Sequence, residues 1–292
     1  MTNTTNALPP GPIETLLETS LKDIGIPPRP VILERFSVEM LKPEPDYKRL
    51  STIIGADVGL SAGLIKTANS PYFGYRRRVR SINEALMTLG LEVTSSAIAG
   101  ILLRKAFPDS LRLERFWDAS ARIARLSGWL AQYLGIHGLR PEDAYTFGLF
   151  RDCGIPVLLR RHPEYRQILA QANEEGERRF TDIEDSHLPT NHAMVGHVLA
   201  LSWWLPADIS LAILDHHEVT MVETTPFAPP LASRYRIAIA QFAESLLQRH
   251  TGLSHTEEWP KLGAACLQLL NIAESDIDGI LAQSVRVMEA EE

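Results

Sequence analysis

Apolar residues recur along nearly the whole chain at spacings of three and four, with a capping residue in front of many of the runs. That period belongs to helices with one buried face, and it excludes most sheet architectures before composition is considered. Leu50, Ile53 and Ile54 follow Asp46, and Leu60, Leu64, Ile65 and Ala68 follow Asp57, two N-cap candidates. Ser81-Ile82-Asn83-Glu84 has the form of a capping box, opening a helix with Ala85, Leu86 and Leu89 inward and a stop at Gly90. A further helix is predicted over 113–134, with Phe116, Ile123, Leu126 and Leu130 inward. Pro141-Glu142-Asp143 marks another start, since Pro suits the first turn and acids suit the helix dipole. Helices are also predicted over 191–204, 207–216, 231–252, 259–270 and 275–288. No alternating run is long enough for a sheet. The predicted class is all-α.

The 292 residues are 45% hydrophobic, enough for a sizeable core shared by two packed subdomains. A net charge of −7 lacks the overall field that draws a protein to nucleic acid, although a local basic patch remains compatible with it. Cys153 and Cys266 are too few and too far apart for a disulfide framework, which predicts a reducing cytoplasm. No signal peptide is visible at the polar, Pro-rich start, and residues 1–11 read as disordered. The longest stretch without Asp, Glu, Lys or Arg, 186–207, contains three histidines and two prolines, so a buried helix explains it better than a membrane span.

Chemistry concentrates around Arg151-Asp152-Cys153-Gly154. Three stretches give it a context: Ile53 to Gly74 with Ala68-Asn69-Ser70, followed by Ser81-Ile82-Asn83-Glu84-Ala85 and Leu89-Gly90; Phe116-Trp117-Asp118-Ala119-Ser120 followed by Phe147 to Gly154; and Glu184, His192 to Gly196, Trp204-Leu205-Pro206 and His216-His217-Glu218. In this order they resemble the HDOD family, a regulatory relative of the metal-dependent HD phosphohydrolases used in bacterial signalling. Val58 stands where that family usually has Pro. The resemblance implies subdomains at 12–108 and 109–218, with 219–230 as a linker and 231–292 as a C-terminal helical extension.

It also implies a dismantled metal site. Ala119 and Arg151 occupy positions of the superfamily's metal-binding histidines, and Gln241, on a looser alignment, that of its last acid. A guanidinium has no lone pair to give a metal, and Arg151 is expected to pair with an acid. Asp152, His192, His216 and His217 remain of the pocket. Taken singly they read as structural: adjacent residues of a helix point about 100° apart, which argues against joint chelation by His216 and His217. His192 and His197, five apart, are no zincin-type pair. Cys153 reads as a packing thiol and Trp203-Trp204 as interface packing. These readings predict no cofactor, no bound metal and no catalytic residue.

Tyr72, Phe73, Arg76, Arg77, Arg78 and Arg80 form the one dense basic and aromatic run, expected to be a surface for an acidic partner. The predicted function is a noncatalytic signal-transduction module acting through an unidentified signalling protein, with its input from another chain or a bound ligand. Two alternatives stand beside it: a phosphohydrolase using Asp152, His192, His216 and His217 as an unconventional site, and nucleic-acid binding through Arg76 to Arg80, which the overall charge disfavours.

Overall fold

The structure is a computed structural model that describes residues 23–70, 73, 78–218, 230–253 and 255–289. Among these residues every regular element is a helix. The N-terminal group is α1 (Val31–Met40), α2 (Tyr47–Gly55), α3 (Val58–Ala68) and α4 (Ile82–Lys105). Its caps follow the sequence. Asp46 accepts from the Lys48 and Arg49 amides, and Asp57 from the Leu60 amide. Ser81 accepts from the Glu84 amide, but the Glu84 carboxylate turns back one residue further than a capping box requires, to the Arg80 amide at 2.6 Å.

Gly90 marks the predicted break without ending the element. Its φ of 72° lets one helical stretch abut the next inside α4, a conformation available to glycine at little cost. Among the described residues α4 is the one helix long and apolar enough to cross a membrane, and half of its most apolar stretch is buried in the protein core.

Two long helices, α5 (Glu114–Leu134) and α12 (Leu231–Thr251), pack together and against α6 (Pro141–Phe150). Around them lie α7 (Gly154–Arg161), α8 (Tyr165–Glu174), α9 (Phe180–Asp185), α10 (His192–Ser202) and α11 (Ala207–Leu214). After α12 come α13 (Glu258–Leu270) and α14 (Ile277–Met288). The 231–292 segment supplies a core helix: residues 236–243 of α12 are all buried, and a helix enclosed on every face belongs to an interior. Buried apolar residues form one cluster from Ile26 to Met288. Trp203 ties the ends of the resembling region together, donating its indole N–H to the Pro27 carbonyl at 3.0 Å, and the Arg29 guanidinium lies 3.4 Å from the ring centre of exposed Trp204.

The sharpest packing constraint lies where α7 crosses α10. A Cβ on Gly154 would overlap the His192 carbonyl oxygen and stand 2.7 Å from the Gly196 amide nitrogen. Backbone meets backbone there, so the structure has little room to yield. Gly154→Ala is therefore expected to lose about 3 kcal/mol in urea denaturation, the upper end for overpacking. Gly176→Ala, whose Cβ meets nothing within 4 Å, is the control and should stay within about 0.5 kcal/mol of wild type. Equal stabilities for the two variants would refute this account of the crossing.

Candidate metal centre

The Arg151-Asp152-Cys153 segment is the turn between α6 and α7. Gly154 lets that turn approach α10 closely enough for Cys153 to lie 3.6 Å from the Gly196 carbonyl. Cys153 is buried, and burial together with the Asp152 charge pushes its thiol well above the usual range, so it stays protonated and packs as expected. Asn191 caps α10 by accepting from the Met194 amide, which places buried His192 on the first turn, facing Asp152.

His216 and His217 require a correction. The sequence places His216 on the end of a helix, where neighbouring side chains diverge. The observed α11 ends at Leu214, and both histidines sit in the turn that follows. Freed from helical spacing, their rings lie 4.1 Å apart, centre to centre. One donor atom from each of Asp152, His192, His216 and His217 falls within 4.8 Å of all the others. The four residues that seemed isolated in sequence therefore converge.

The hydrogen bonds around the rings decide which nitrogen points inward. His192 Nδ1 is 2.7 Å from Glu184 Oε2, His216 Nδ1 is 2.7 Å from the Ile213 carbonyl, and His217 Nδ1 is 2.6 Å from Glu258 Oε2. All three partners are acceptors, so each Nδ1 carries its hydrogen and each Nε2 is turned to the centre. The Nε2 atoms of His192 and His217 stand 3.0 Å apart, and those of His192 and His216 3.3 Å apart. Asp152 Oδ1 is 3.3 Å from His216 Nε2 and 3.8 Å from His192 Nε2. Three imidazole Nε2 atoms and a carboxylate oxygen so arranged call for positive charge among them, supplied by a proton on His192 Nε2 or by a cation in its place.

The surrounding shell is strongly polarised. Burial and the adjacent His216 push the His217 imidazole down to about 4, leaving it neutral at pH 7. Burial alone would lower His192, but Glu184 outweighs it and the net direction is upward. Burial resists ionisation of Glu258, yet His217 and Lys261 draw its carboxyl down to about 2. Tyr165 donates its hydroxyl to Glu184; its own ionisation is pushed far up by burial and that carboxylate.

Arg151 does pair with acids. Its Nε lies 2.9 Å from Asp152 Oδ2 and its Nη2 2.6 Å from Glu244 Oε2. Burial works against both charged partners, but the Arg151–Asp152 attraction prevails, holding the guanidinium charged and the carboxyl well below its usual range. Ala119 lies partly exposed on α5, and Gln241 is buried on α12. The α12 residue that reaches the motif is Glu244, three positions after Gln241 and absent from the sequence reading, as were Tyr165 and Glu258. No local motif announces these three; only the tertiary fold brings them to the rings.

A model of the HDOD domain matches residues 26–219. The chain belongs to the HDOD domain family. Among similar proteins, an uncharacterized protein of Treponema pallidum is 26% identical over 255 residues, covering 85% of this chain and 47% of the relative. The chain thus spans about half the length of that relative. A candidate phosphohydrolase from Shewanella amazonensis SB2B superposes with a TM-score of 0.67 at 20% identity, covering 94% of this chain and 96% of the other. An HDOD domain protein of unknown function from Geobacter sulfurreducens gives 0.57 at 24% identity, covering 95% and 97%. At these identities the structures establish a shared fold.

Of the basic run, Tyr72, Arg76 and Arg77 lie outside the described residues, as do residues 1–11 and most of the 219–230 segment. Phe73 packs its ring 5.7 Å from that of Tyr145, while Arg78 and Arg80 are exposed. His197 turns away from the centre and bonds Ser210.

Arg151 is the strut of the HDOD motif. Arg151→Met strands the Asp152 and Glu244 carboxylates in the interior and is expected to cost about 3–5 kcal/mol in urea denaturation. The double variant Arg151→Met/Glu244→Leu should recover part of that loss. A single variant within about 1 kcal/mol of wild type would show that the pair is not structural.

Proposed function

We propose that the chain is a noncatalytic regulatory HDOD module, acting through contacts with a signalling protein, and that its Asp-His-His-His cluster holds one structural divalent cation. The observation that carries this reading is the convergence of four protein donors with three locked tautomers. Tetrahedral zinc with bonds of about 2.0–2.1 Å requires ligand atoms about 3.3 Å apart. Four of the six separations in the cluster are 3.0, 3.3, 3.3 and 3.8 Å and the whole set spans 4.8 Å, so binding would draw the donors together. Three imidazoles with one carboxylate suit zinc or a similar transition ion better than magnesium or calcium. The acceptors behind each Nδ1 are the outer partners that orient ligating histidines. The expectation of an empty site is therefore revised, although its companion expectation, no hydrolysis, is retained.

The same donor count argues against turnover. Catalytic zinc keeps a position open for water or substrate, whereas four protein ligands close the site. Arg151 occupies the other carboxylate oxygen of Asp152, where a second metal of a hydrolytic pair would need a ligand. The cleft beside His217 measures about 190 Å³, below the roughly 300 Å³ at which small-molecule sites begin.

Elemental analysis of the purified protein is expected to give about one zinc-class ion per chain, lost in the His192→Ala/His216→Ala variant. Chelation should lower Tm by about 5–10 °C, as for a ligand contributing about 3 kcal/mol. p-Nitrophenyl phosphate and bis(p-nitrophenyl) phosphate should remain intact with added Mg²⁺, Mn²⁺ or Fe²⁺. Turnover that tracks metal content and disappears in Asp152→Asn would overturn the noncatalytic reading. Metal-free protein whose Tm ignores chelators would overturn the structural cation.

A further inference from the structure

A second site lies away from the histidines. Between α3, α4, α5 and α6 the structure holds a cleft of about 1190 Å³, much larger than the space beside His217. Five cationic side chains line it, Lys66, Arg78, Arg80, Arg104 and Arg125, and among the described residues no Asp or Glu does. On a chain of net charge −7, such segregation concentrates positive potential in one concavity.

Elsewhere Arg29, Arg49, Arg122, Arg140, Arg178, Arg179 and Arg236 each lie against a carboxylate, whereas other exposed cations such as Arg35, Arg115 and Arg249 are scattered singly over the surface. The cleft differs in gathering several around one concavity. Among the described residues, Lys66, Arg78, Arg80 and Arg104 enter no such ion pair, and they are exposed at the cleft. Arg125 sits deeper, only 8% exposed. The Ser70 hydroxyl, also in the lining, is buried and makes no hydrogen bond among the described residues. A buried hydroxyl beneath a rim of exposed cations forms a receptor for phosphate oxygens, which arginine engages through paired N–H donors.

Phosphate alone would leave most of the cleft unfilled. The remaining lining is apolar and aromatic, with Ile65, Ile101 and Leu149 beside Trp117 and the buried Tyr145. Ligand sites characteristically pair such walls with a few convergent polar groups. We infer that this cleft binds a nucleotide, its phosphates on Lys66 and Arg104 and its base against the Trp117 wall. The inference is independent of the cation reading, and under the regulatory reading the nucleotide is the input signal.

Titration calorimetry with ATP, GTP, CTP and UTP in EDTA tests it, with adenosine and inorganic triphosphate as controls. At least one nucleotide is expected to bind once per chain, at least 10-fold tighter than either control. Lys66→Ser/Arg104→Ser changes exposed groups only and should weaken binding at least 10-fold with Tm unchanged; Trp117→Leu should reduce the preference over triphosphate. The His192→Ala/His216→Ala variant should bind as wild type does if it folds; should it not fold, chelator-treated wild type makes the same comparison. Triphosphate binding as tightly as every nucleotide, binding indifferent to the Lys66/Arg104 pair, or no saturable nucleotide binding would each overturn the proposal. A single-stranded RNA that binds where no mononucleotide does would overturn it in favour of a polynucleotide groove.

Discussion

The Asp152 carboxylate is the pivot of this structure. One oxygen lies against the Arg151 guanidinium and the other faces the His216 and His192 rings. Through Arg151 the pivot reaches Glu244 on α12, and through His192 it reaches α10 and, by Glu184, α9. Four parts of the chain that are distant in sequence thus share one electrostatic centre. In a low-dielectric interior such a network stabilises only while every member is satisfied, and each unmatched charge is costly. Gly154 makes the arrangement possible, because the turn bearing Asp152 can approach α10 only where no side chain intervenes.

The change from His to Arg at position 151 looks, in sequence, like the loss of a metal site. In space it redistributes charge. Arg151 and Lys261 are the cations of the shell, facing Asp152, Glu184, Glu258 and Glu244. Glu244 is pushed upward by burial and the Asp152 charge, and His192 is pushed upward by Glu184, so the positive charge that balances this centre is a proton on His192 or a cation in its place. A guanidinium about 4 Å from such an ion would be repelled by about 8 kcal/mol at an effective dielectric near 20. Here the Asp152 carboxylate stands between Arg151 and the histidines, its charge opposite to that of Arg151 and to that of any cation the histidines would hold. Arg151 thus ties one Asp152 oxygen to α12 and leaves the other oxygen facing the three imidazoles.

Much of the fold was legible because it rests on local rules. Asp46, Asp57 and Ser81 cap the helices they precede, and the apolar period placed the long helices over 114–134 and 231–251 to within a few residues. The site was legible as a set of names: Asp152, His192, His216 and His217 were all in view. Their relationship was hidden by one misplaced boundary. With α11 extended two residues too far, the pair 216–217 acquired helical divergence it does not have. Boundaries are the least determined part of any periodic pattern, and here a shift of two residues separates an inert pair from a convergent one. Glu258, Tyr165 and Glu244 were invisible for a different reason, since each meets its partner across many residues and no local spacing encodes that meeting.

The cleft and the histidine cluster both adjoin α6. Tyr145 and Leu149 face the cleft, whereas Arg151 and Asp152 follow the last turn, Asp152 about 10 Å beyond Tyr145 and about 5 Å beyond Leu149 at 1.5 Å per residue. A helix joining two sites is a natural transmitter only if it can move. Gly148 resists movement: a Cβ there would stand 3.0 Å from the Ala124 backbone and 3.2 Å from the Ile123 carbonyl oxygen, so α6 and α5 touch backbone to backbone. Packed interfaces of this kind shift between discrete arrangements rather than deforming continuously. With α6 seated on α5, filling the cleft need not disturb Asp152, and the two sites have a structural basis for independence. Coupling between them would require a second seating of α6, and by linkage it would appear equally in the affinity of each ligand for its own site.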